Sequence, residues 1–123
     1  MKESLNTIRD DTAIVALFGA NKLYLNYTTD TENCLLAEYH TVGGDSCKEH
    51  VRLKITVIAD SMETCEAAEK RIKELVLSFG DNPVNTNILK CTINGGGVLH
   101  DEGRMKTHKI CYYDVVLRGV AND

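Results

Sequence analysis

The stretch from His50 to Phe79 carries the clearest alternation of apolar and polar positions in the chain. Its first part changes character at every residue, which is typical of a half-buried strand. The positions expected to face a core are Val51, Leu53, Ile55, Val57 and Ala59, and those expected to face away are Arg52, Lys54 and Thr56. Beyond Asp60-Ser61 apolar residues recur every three or four positions, which predicts an amphipathic helix capped by Asp60 or Ser61 and ended by Gly80.

The N-terminal region predicts helical structure before the sheet begins. Residues from Ser4 to Gly19 fit either one kinked helix or two short ones. Asp10 and Asp11 favour a helix N-terminus near residue 11, because backbone N–H groups at that end stabilise negative charge.

Two further strands are predicted between this region and the central strand. Residues 22–27 and 34–42 both alternate, and the polar segment 28–33 separates them. Residues 43–46, Gly-Gly-Asp-Ser, form a strong turn signal. The strand before this turn and the long strand after it are therefore expected to form an antiparallel hairpin.

The C-terminal third predicts a loop, a short strand, a flexible turn, a second loop and a last strand. The loop covers residues 81–86 and the short strand residues 87–93, followed by the triple-glycine turn at 94–97. Residues 98–109 are polar and carry both signs of charge, so an exposed loop or the frayed ends of two strands is expected there. Residues 108–118 alternate again and predict the last strand.

This order of elements predicts an α+β fold in a single domain over residues 1–123. We expect a mostly antiparallel or mixed sheet of four to five strands, with two to three helices packed on one face. The other face would then lack a cover. The residues expected on it are Arg52, Lys54, Thr56, Tyr112, Asp114 and Arg118.

Composition and charge disfavour some classes of protein, among them disordered and nucleic-acid-binding chains. A chain that is 43% hydrophobic and 26% charged is expected to fold, and its net charge of −4 disfavours a basic nucleic-acid-binding surface. No segment approaches the roughly 20 apolar residues of a membrane span. The first residues lack an apolar signal core, so secretion is not indicated.

The sequence predicts no catalytic, cofactor or metal site. The five cysteines are widely spaced without a CxxC pair, which favours reduced, core-filling thiols over a zinc site. The glycines at 95–97 do not match a phosphate-binding GxxxxGK[ST] loop. His100, Asp101 and Glu102 are adjacent, and neighbours in an extended segment point to opposite faces, so they make a poor acid–base or metal cluster. We therefore expect a protein that is not an enzyme.

Several pattern features occur together along nearly the whole chain. They are the helix end at residues 14–19, the strand entry Lys22-Leu23-Tyr24, the strand-to-helix junction at residues 57–61 continued by Ala67, Ala68 and Ile72, the Asp101-Glu102 loop and the last strand at residues 108–118. In this layout the chain resembles the tail terminator, or tail completion, proteins of long-tailed (siphovirus-type) bacteriophages and prophages. The segment between Tyr27 and Cys34 departs from that pattern, because it lacks the prolines such proteins often show.

The resemblance implies a structural protein of virion assembly, present in the host cytoplasm during assembly and then in the virion tail. Members of that family form hexameric rings on the end of the tail tube, stop its elongation and provide the head-joining surface. The implied partners are further copies of the chain, the major tail tube protein and head–tail connector proteins. DNA would only pass through the lumen, and no membrane or cofactor is implied.

Within that interpretation, two groups of residues are expected to make the contacts. Arg52, Lys54, Asp114 and Arg118 on the uncovered sheet face would serve neighbouring subunits. Residues 28–33 and 94–109 would reach the tube or the lumen. The latter segment includes Asp101, Glu102 and Arg104.

Three alternatives stay open at this point. Each of the surfaces named above could be ordinary solvated surface. The chain could be a head–tail connector or a minor tail protein. It could also belong to another class, as a small α+β enzyme or ligand-binding domain with a pocket between helix and sheet.

Overall fold

The computed structural model describes residues 2–45, 47–78 and 88–118. The described residues form three helices and five strands, which confirms the α+β class. In chain order these are α1 (Lys2–Asp10), α2 (Thr12–Phe18), β1 (Leu23–Leu25), β2 (Cys34–Gly44), β3 (Lys48–Ala59), α3 (Met62–Ser78), β4 (Ile88–Asp101) and β5 (Lys106–Arg118).

The strands form one mixed sheet in the order β1-β2-β3-β5-β4. β1 runs parallel to β2 and is shorter than the predicted strand at residues 22–27, while all other neighbours are antiparallel. The predicted hairpin of β2 and β3 is confirmed. In its turn, Gly44 has a φ of 139°, and a Cβ there would lie 2.4 Å from the carbonyl oxygen of Lys48, so glycine is required.

One face of the sheet and all three helices share a core. The predicted inward residues of β3 are at most 2% exposed, and they meet equally buried positions on α3. The members of this β3–α3 contact are Val51, Leu53, Ile55, Val57, Ala59, Cys65, Ala68, Ile72 and Val76. Leu5 and Ile8 of α1 and Ile14 and Phe18 of α2 extend the same core. The prediction that the helices pack on one face is therefore confirmed.

The N-terminal region forms two short helices, and Asp11 separates them. Its carboxylate accepts a hydrogen bond from the backbone N–H of Ile14 at 3.3 Å, which caps α2. The same carboxylate accepts two hydrogen bonds from Arg71 of α3, at 3.0 Å from Nε and 2.7 Å from Nη2. The Arg71 guanidinium holds the pKa of Asp11 below its usual value. One side chain thus caps α2 and joins it to α3.

Ser61, not Asp60, caps α3, because the Ser61 hydroxyl accepts a hydrogen bond from the backbone N–H of Thr64 at 3.2 Å. The predicted helix end at Phe79 and Gly80, the loop at 81–86 and Ser46 of the predicted turn lie outside the described residues.

The predicted turn at residues 94–97 was wrong, and of the two alternatives for residues 98–109 the ends of two strands are present, with a short turn between them. β4 does not stop at Ile93 but continues through the glycines to Asp101, and the turn before β5 covers residues 102–105. Ile93 pairs with Tyr113 and Gly96 with Cys111, so β4 holds one extra residue there, which is a β-bulge. Gly95 has a φ of 86°, and a Cβ on Gly96 would lie 2.3 Å from the Ile110 carbonyl oxygen. The glycines therefore serve a bulge inside a strand and not a turn.

We expect Ile55→Asp to abolish folding. Ile55 is 1% exposed and lies between Ala37 and Cys111 in the sheet, so the new carboxylate would have no water and no partner, at a cost of several kcal/mol. Far-ultraviolet circular dichroism during heating would show no cooperative transition. Lys54→Asp, on the neighbouring outward position, is the control and should still melt cooperatively. A soluble Ile55→Asp protein with unchanged melting would contradict the strand assignment.

The Asp11–Arg71 ion pair predicts a defined pH dependence. Because the folded state lowers the pKa of Asp11, its charge stabilises the fold above the unfolded pKa of about 4, and this contribution is lost as the pH falls through the folded value. Asp11→Asn keeps a capping oxygen without the charge. In urea unfolding at a series of pH values, its deficit relative to the unchanged protein should be full at pH 7 and shrink below about pH 4.

Asp11→Ala is the companion variant, since it also removes the cap and should lose about 1 kcal/mol more than Asp11→Asn at every pH. A deficit of Asp11→Asn that stays constant with pH would show that the ion pair does not stabilise the fold.

Candidate interaction surface

The side of the sheet that faces away from the helices is called the open face here. Its positions follow from the strand register, since they alternate with those of the helix-covered core. They are Cys34, Leu36, Glu38 and His40 on β2, Arg52, Lys54, Thr56 and Ile58 on β3, and His108, Ile110, Tyr112, Asp114, Val116 and Arg118 on β5. None of these residues belongs to the core cluster that contains the helical side chains. The face without a helical cover is thus present among the described residues, although Cys34, Thr56 and Ile58 on it are buried.

One half of the open face is charged. Arg52 pairs across the strands with Asp114, and Lys54 pairs with Glu38. The Nε of Arg52 lies 3.6 Å from Oδ1 of Asp114, and the Nζ of Lys54 lies 3.7 Å from Oε1 of Glu38. All four side chains are between 32% and 44% exposed. Such long, solvated ion pairs contribute little to stability, about 0–1 kcal/mol each.

The Nε atom of Arg52 is nonetheless buried, and it makes no hydrogen bond within the described residues. A buried donor of this kind is costly to leave without a partner. The sheet therefore holds the charged side chains in place, but their contacts within the chain leave a hydrogen-bond donor without an acceptor.

The other half of the open face is apolar. Leu36, Thr56 and Ile110 lie opposite one another, and next to them Ile58 lies opposite His108. Thr56 and Ile58 are only 4% and 8% exposed, although no helical residue shares their cluster. Leu99 of β4, opposite His108, is 61% exposed and extends this half to the sheet edge.

The segment at residues 28–33 is fixed against β1. The Asp30 carboxylate accepts hydrogen bonds from Nζ of Lys22 at 2.8 Å, from the Tyr24 hydroxyl at 2.7 Å and from the backbone N–H of Glu32 at 2.9 Å. These donors, Lys22 first among them, lower the pKa of Asp30 and favour its charged form. These hydrogen bonds give residues 28–33 a defined conformation at the surface.

Three of the predicted contact residues, Asp101, Glu102 and Arg104, lie at the tip of the β4–β5 hairpin. The backbone N–H of Arg104 donates to Oδ1 of Asp101 at 3.2 Å, and the Arg104 side chain lies 3.9 Å from the same carboxylate. Met105 beside them is 79% exposed. The predicted contact residues therefore form two separate groups. Arg52, Lys54 and Asp114 are neighbours on the open face, whereas these three lie at the hairpin tip.

Arg118 is on the open face too, at the far end of β5 opposite Lys48. From there to the start of β5 at Lys106 the strand is about 40 Å long. The tip and Arg118 thus mark opposite ends of the sheet.

Sequence reasoning missed the contact that holds the β4–β5 hairpin beside its turn. The Nζ of Lys106 donates to Oδ1 of Asn33 at 2.8 Å and to the Asp60 carboxylate, and the backbone N–H of Asp60 donates to the same Asn33 oxygen at 3.1 Å. This joins the start of β2, the β3–α3 junction and the start of β5. The three residues lie far apart in sequence, so no local spacing could have indicated it.

Two observations concern metal and small-molecule binding by the described residues. These residues contain no group of three or more His, Cys, Asp or Glu side chains that could hold a metal ion. Three surface cavities that they line have wide mouths. Those beside Tyr24, beside Phe18 and beside His100 hold about 350, 320 and 180 Å³.

None of the five cysteines, all of which the structure describes, forms a disulfide, and four of them are buried. Burial raises the pKa of Cys34 and Cys65, and it raises that of Cys91 to about 11. A thiol held in its protonated form is a poor nucleophile. Cys47 departs from the predicted core-filling role because it is exposed in the β2–β3 turn.

No helix in the described ranges is long and apolar enough to cross a membrane.

Comparison with known proteins gives a fold but no family. No protein-family model and no curated protein sequence matches the chain. Among solved structures, it is similar to a chain of the "virion of native gene transfer agent (GTA) particle", with a TM-score of 0.71 and 12% sequence identity. The match covers 94% of this chain and 92% of that one. The two chains therefore share a fold over nearly their whole lengths.

Thiol accessibility gives a direct check of the cysteine placement. We expect one thiol to react rapidly with Ellman's reagent in the native protein, because Cys47 alone among the five is exposed, and all five to react in denaturant. Cys47→Ser should abolish the rapid reaction and serves as the control. Rapid reaction of two or more thiols without denaturant would contradict the buried positions.

Proposed function

We propose that the chain is a structural subunit of a phage-like virion and acts there as a tail terminator. Copies of it would form a ring, a hexamer by the family resemblance, on the end of the tail tube. The ring would stop tube elongation and provide the surface for head joining. The chain would be in the host cytoplasm during assembly and in the virion tail afterwards.

The observation that carries the virion role is the full-length likeness to a chain of the gene transfer agent virion. Coverage of 94% and 92% leaves almost no part of either matched chain outside the shared fold. The absence of a metal cluster from the described residues and the wide mouths of the cavities they line agree with a binding role. Both observations favour a structural subunit over the small enzyme or ligand-binding domain.

The open face supports the contact between copies. A sheet normally buries one face and can leave the other to solvent, but this one combines an apolar half with loosely paired charges. Arg52, Lys54, Asp114 and Arg118 would exchange their solvated contacts for contacts with the neighbouring subunit. Because the two surfaces that meet in a ring differ, the contact is head-to-tail and closes only if its rotation divides a full turn.

The hairpin tip and the segment at residues 28–33 would serve the partners above and below the ring. Asp101, Glu102 and Arg104 project at one end of the sheet, beside the exposed Met105. A mobile polar segment would match a tube surface poorly. The contacts of Asp30 and of Lys106 hold residues 28–33 and the hairpin tip in place. Several modest contacts repeated in every subunit would then add to strong attachment, since the linked interfaces act at high effective concentration.

The charge of the chain is compatible with a ring through which DNA passes. A net charge of −4 gives no reason for the DNA phosphates to be held as they pass. The proposed partners are therefore other copies, the major tail tube protein and head–tail connector proteins, with DNA only in transit.

Deleting the gene from an intact phage or inducible prophage tests the terminator role. We expect tails of uncontrolled length that are not joined to heads, and electron microscopy of the lysate measures both properties. Normal tails in the deletion would contradict the proposal. Tails of normal length without heads would instead indicate a head–tail connector, and normal-length tails with other defects a minor tail protein.

A charge exchange tests the open face within the same system. Arg52→Asp with Asp114→Arg keeps an ion pair inside the chain, so stability should change by no more than about 0.5 kcal/mol, but it reverses the charges offered to a neighbour. We expect this double variant to fail to restore normal tails to the deletion. The matched control exchanges the exposed pair Arg9 and Asp10 on α1 and should restore them. Full restoration by the open-face variant would contradict the proposed subunit contact.

A further inference from the structure

β4 forms one edge of the sheet. It pairs with β5 on one side, and on the other side no backbone hydrogen bond joins it to any described residue. Residues 92–100 are all exposed. A strand in this position presents a row of unpaired N–H and C=O groups, which is a template for pairing with another chain.

The usual protection of an edge is weak here. Edge strands are normally blunted by shortness, by proline, by charged side chains along their length or by a β-bulge, and of these devices β4 has the bulge between Ile93 and Gly96. β4 is 14 residues long and has no proline, and its fully charged side chains, Lys90 and Asp101, lie near its two ends. Between them the strand exposes Ile93, Val98 and Leu99 at 45%, 40% and 61%.

The sequence of β4 is complementary to itself when reversed. Around a centre between Gly95 and Gly96, the cation Lys90 corresponds to the anion Asp101, and Ile93 corresponds to Val98. Thr92 corresponds to Leu99, and Cys91 to His100. The glycines at the centre carry no side chains, so two backbones could approach each other there without a clash between side chains.

The bulge brings these corresponding residues onto the same face. In a regular strand, residues an odd number apart, such as Ile93 and Val98, point to opposite faces. The extra residue between Ile93 and Gly96 shifts this alternation by one position, so that Ile93 and Val98 point to the same face. Ile93 and Val98 lie opposite Tyr113 and Lys109, both on the helix side, whereas Thr92 and Leu99 lie opposite Asp114 and His108 on the open face.

The pairing on either side of the bulge is regular. Residues 90–93 pair one-to-one with 116–113 of β5, and residues 98–101 pair one-to-one with 109–106. Each flank therefore has four residues in regular strand geometry. β4 has two irregular places, between Ile88 and Lys90 and between Ile93 and Gly96, and the second lies next to the centre of the self-complementary pattern.

We infer that the edge of β4 binds β4 of a second copy of this chain. The two strands run antiparallel about a two-fold axis between Gly95 and Gly96, and the two described sheets become one sheet of ten strands. Lys90 then faces the partner's Asp101, and Ile93 faces the partner's Val98. Each contact occurs twice because the axis repeats it.

This pairing goes beyond the proposed ring. A two-fold contact is closed after two copies, whereas a ring needs a head-to-tail contact, here assigned to the open face. The dimer could therefore exist whether or not the terminator role is correct. Its test needs only the purified chain.

Cysteine cross-linking tests the register directly. Ile93→Cys and Val98→Cys would be prepared separately on a Cys47→Ser background, which removes the exposed thiol. A mixture of the two should form a disulfide-linked dimer under mild oxidation, because the two positions face each other across the axis. Each variant alone should not, because two copies of the same position lie about 15 Å apart, beyond the roughly 7 Å Cα separation of a disulfide.

Sedimentation equilibrium of the full chain measures the same contact without cross-linking. The unchanged protein should show a concentration-dependent dimer, and Val98→Lys should raise its dissociation constant about tenfold, since the apolar pair is lost at two symmetric places. Leu77→Lys, at a comparably exposed residue of α3, is the matched control and should leave the dimer unchanged.

Three results would overturn the inference. One is a monomer at every concentration. Another is cross-linking by Ile93→Cys or Val98→Cys alone as efficiently as by the mixture. The third is a dimer that survives Val98→Lys but is dissociated by the Arg52 and Asp114 exchange, because that dimer would use the open face.

Discussion

β3 pairs along its whole length with a neighbour on each side, and the rest of the fold depends on how this strand buries its two faces. Its inward residues meet the apolar stripe of α3, and this contact places every helix on one side of the sheet. The outward residues receive no helical cover and pair instead with one another across the strands. The sheet thus has one packed face and one face without a helical cover, and the second is the surface proposed above to bind another subunit.

Local signals predicted the fold where a pattern and its partner lie close in sequence. The alternation from Val51 to Ala59, the cap at Asp11 and the β2–β3 turn all correspond to features of the structure. The error at residues 94–97 has a definite cause. Three glycines are typical of a turn when read locally, but β5 is 13 residues long and offers pairing partners on both sides of them. A non-local partner overrode the local signal, and the extra residue became a bulge.

The candidate surface was predictable in part for the same reason. Alternation alone assigns Arg52, Lys54 and Asp114 to the uncovered face, and the register then shows that they are neighbours. The alternation could not show that Asp101, Glu102 and Arg104 lie at the far end of a long hairpin, because the sequence pattern did not indicate how far β4 extends. Nor could it find the contact of Lys106 with Asn33 and Asp60, which depends on strand order.

We propose that the open face is a surface for assembly, and that its long ion pairs and the buried Arg52 Nε belong to a contact that a neighbouring subunit completes. Hydroxyl-radical footprinting of the chain in purified particles, compared with the free chain, tests this claim most directly. The account predicts that His40, Ile110 and Tyr112 on the open face lose reactivity on assembly, while Leu77 on the outer side of α3 keeps more of its own. Equal reactivity of the open-face side chains in the particle and in the free chain would contradict it.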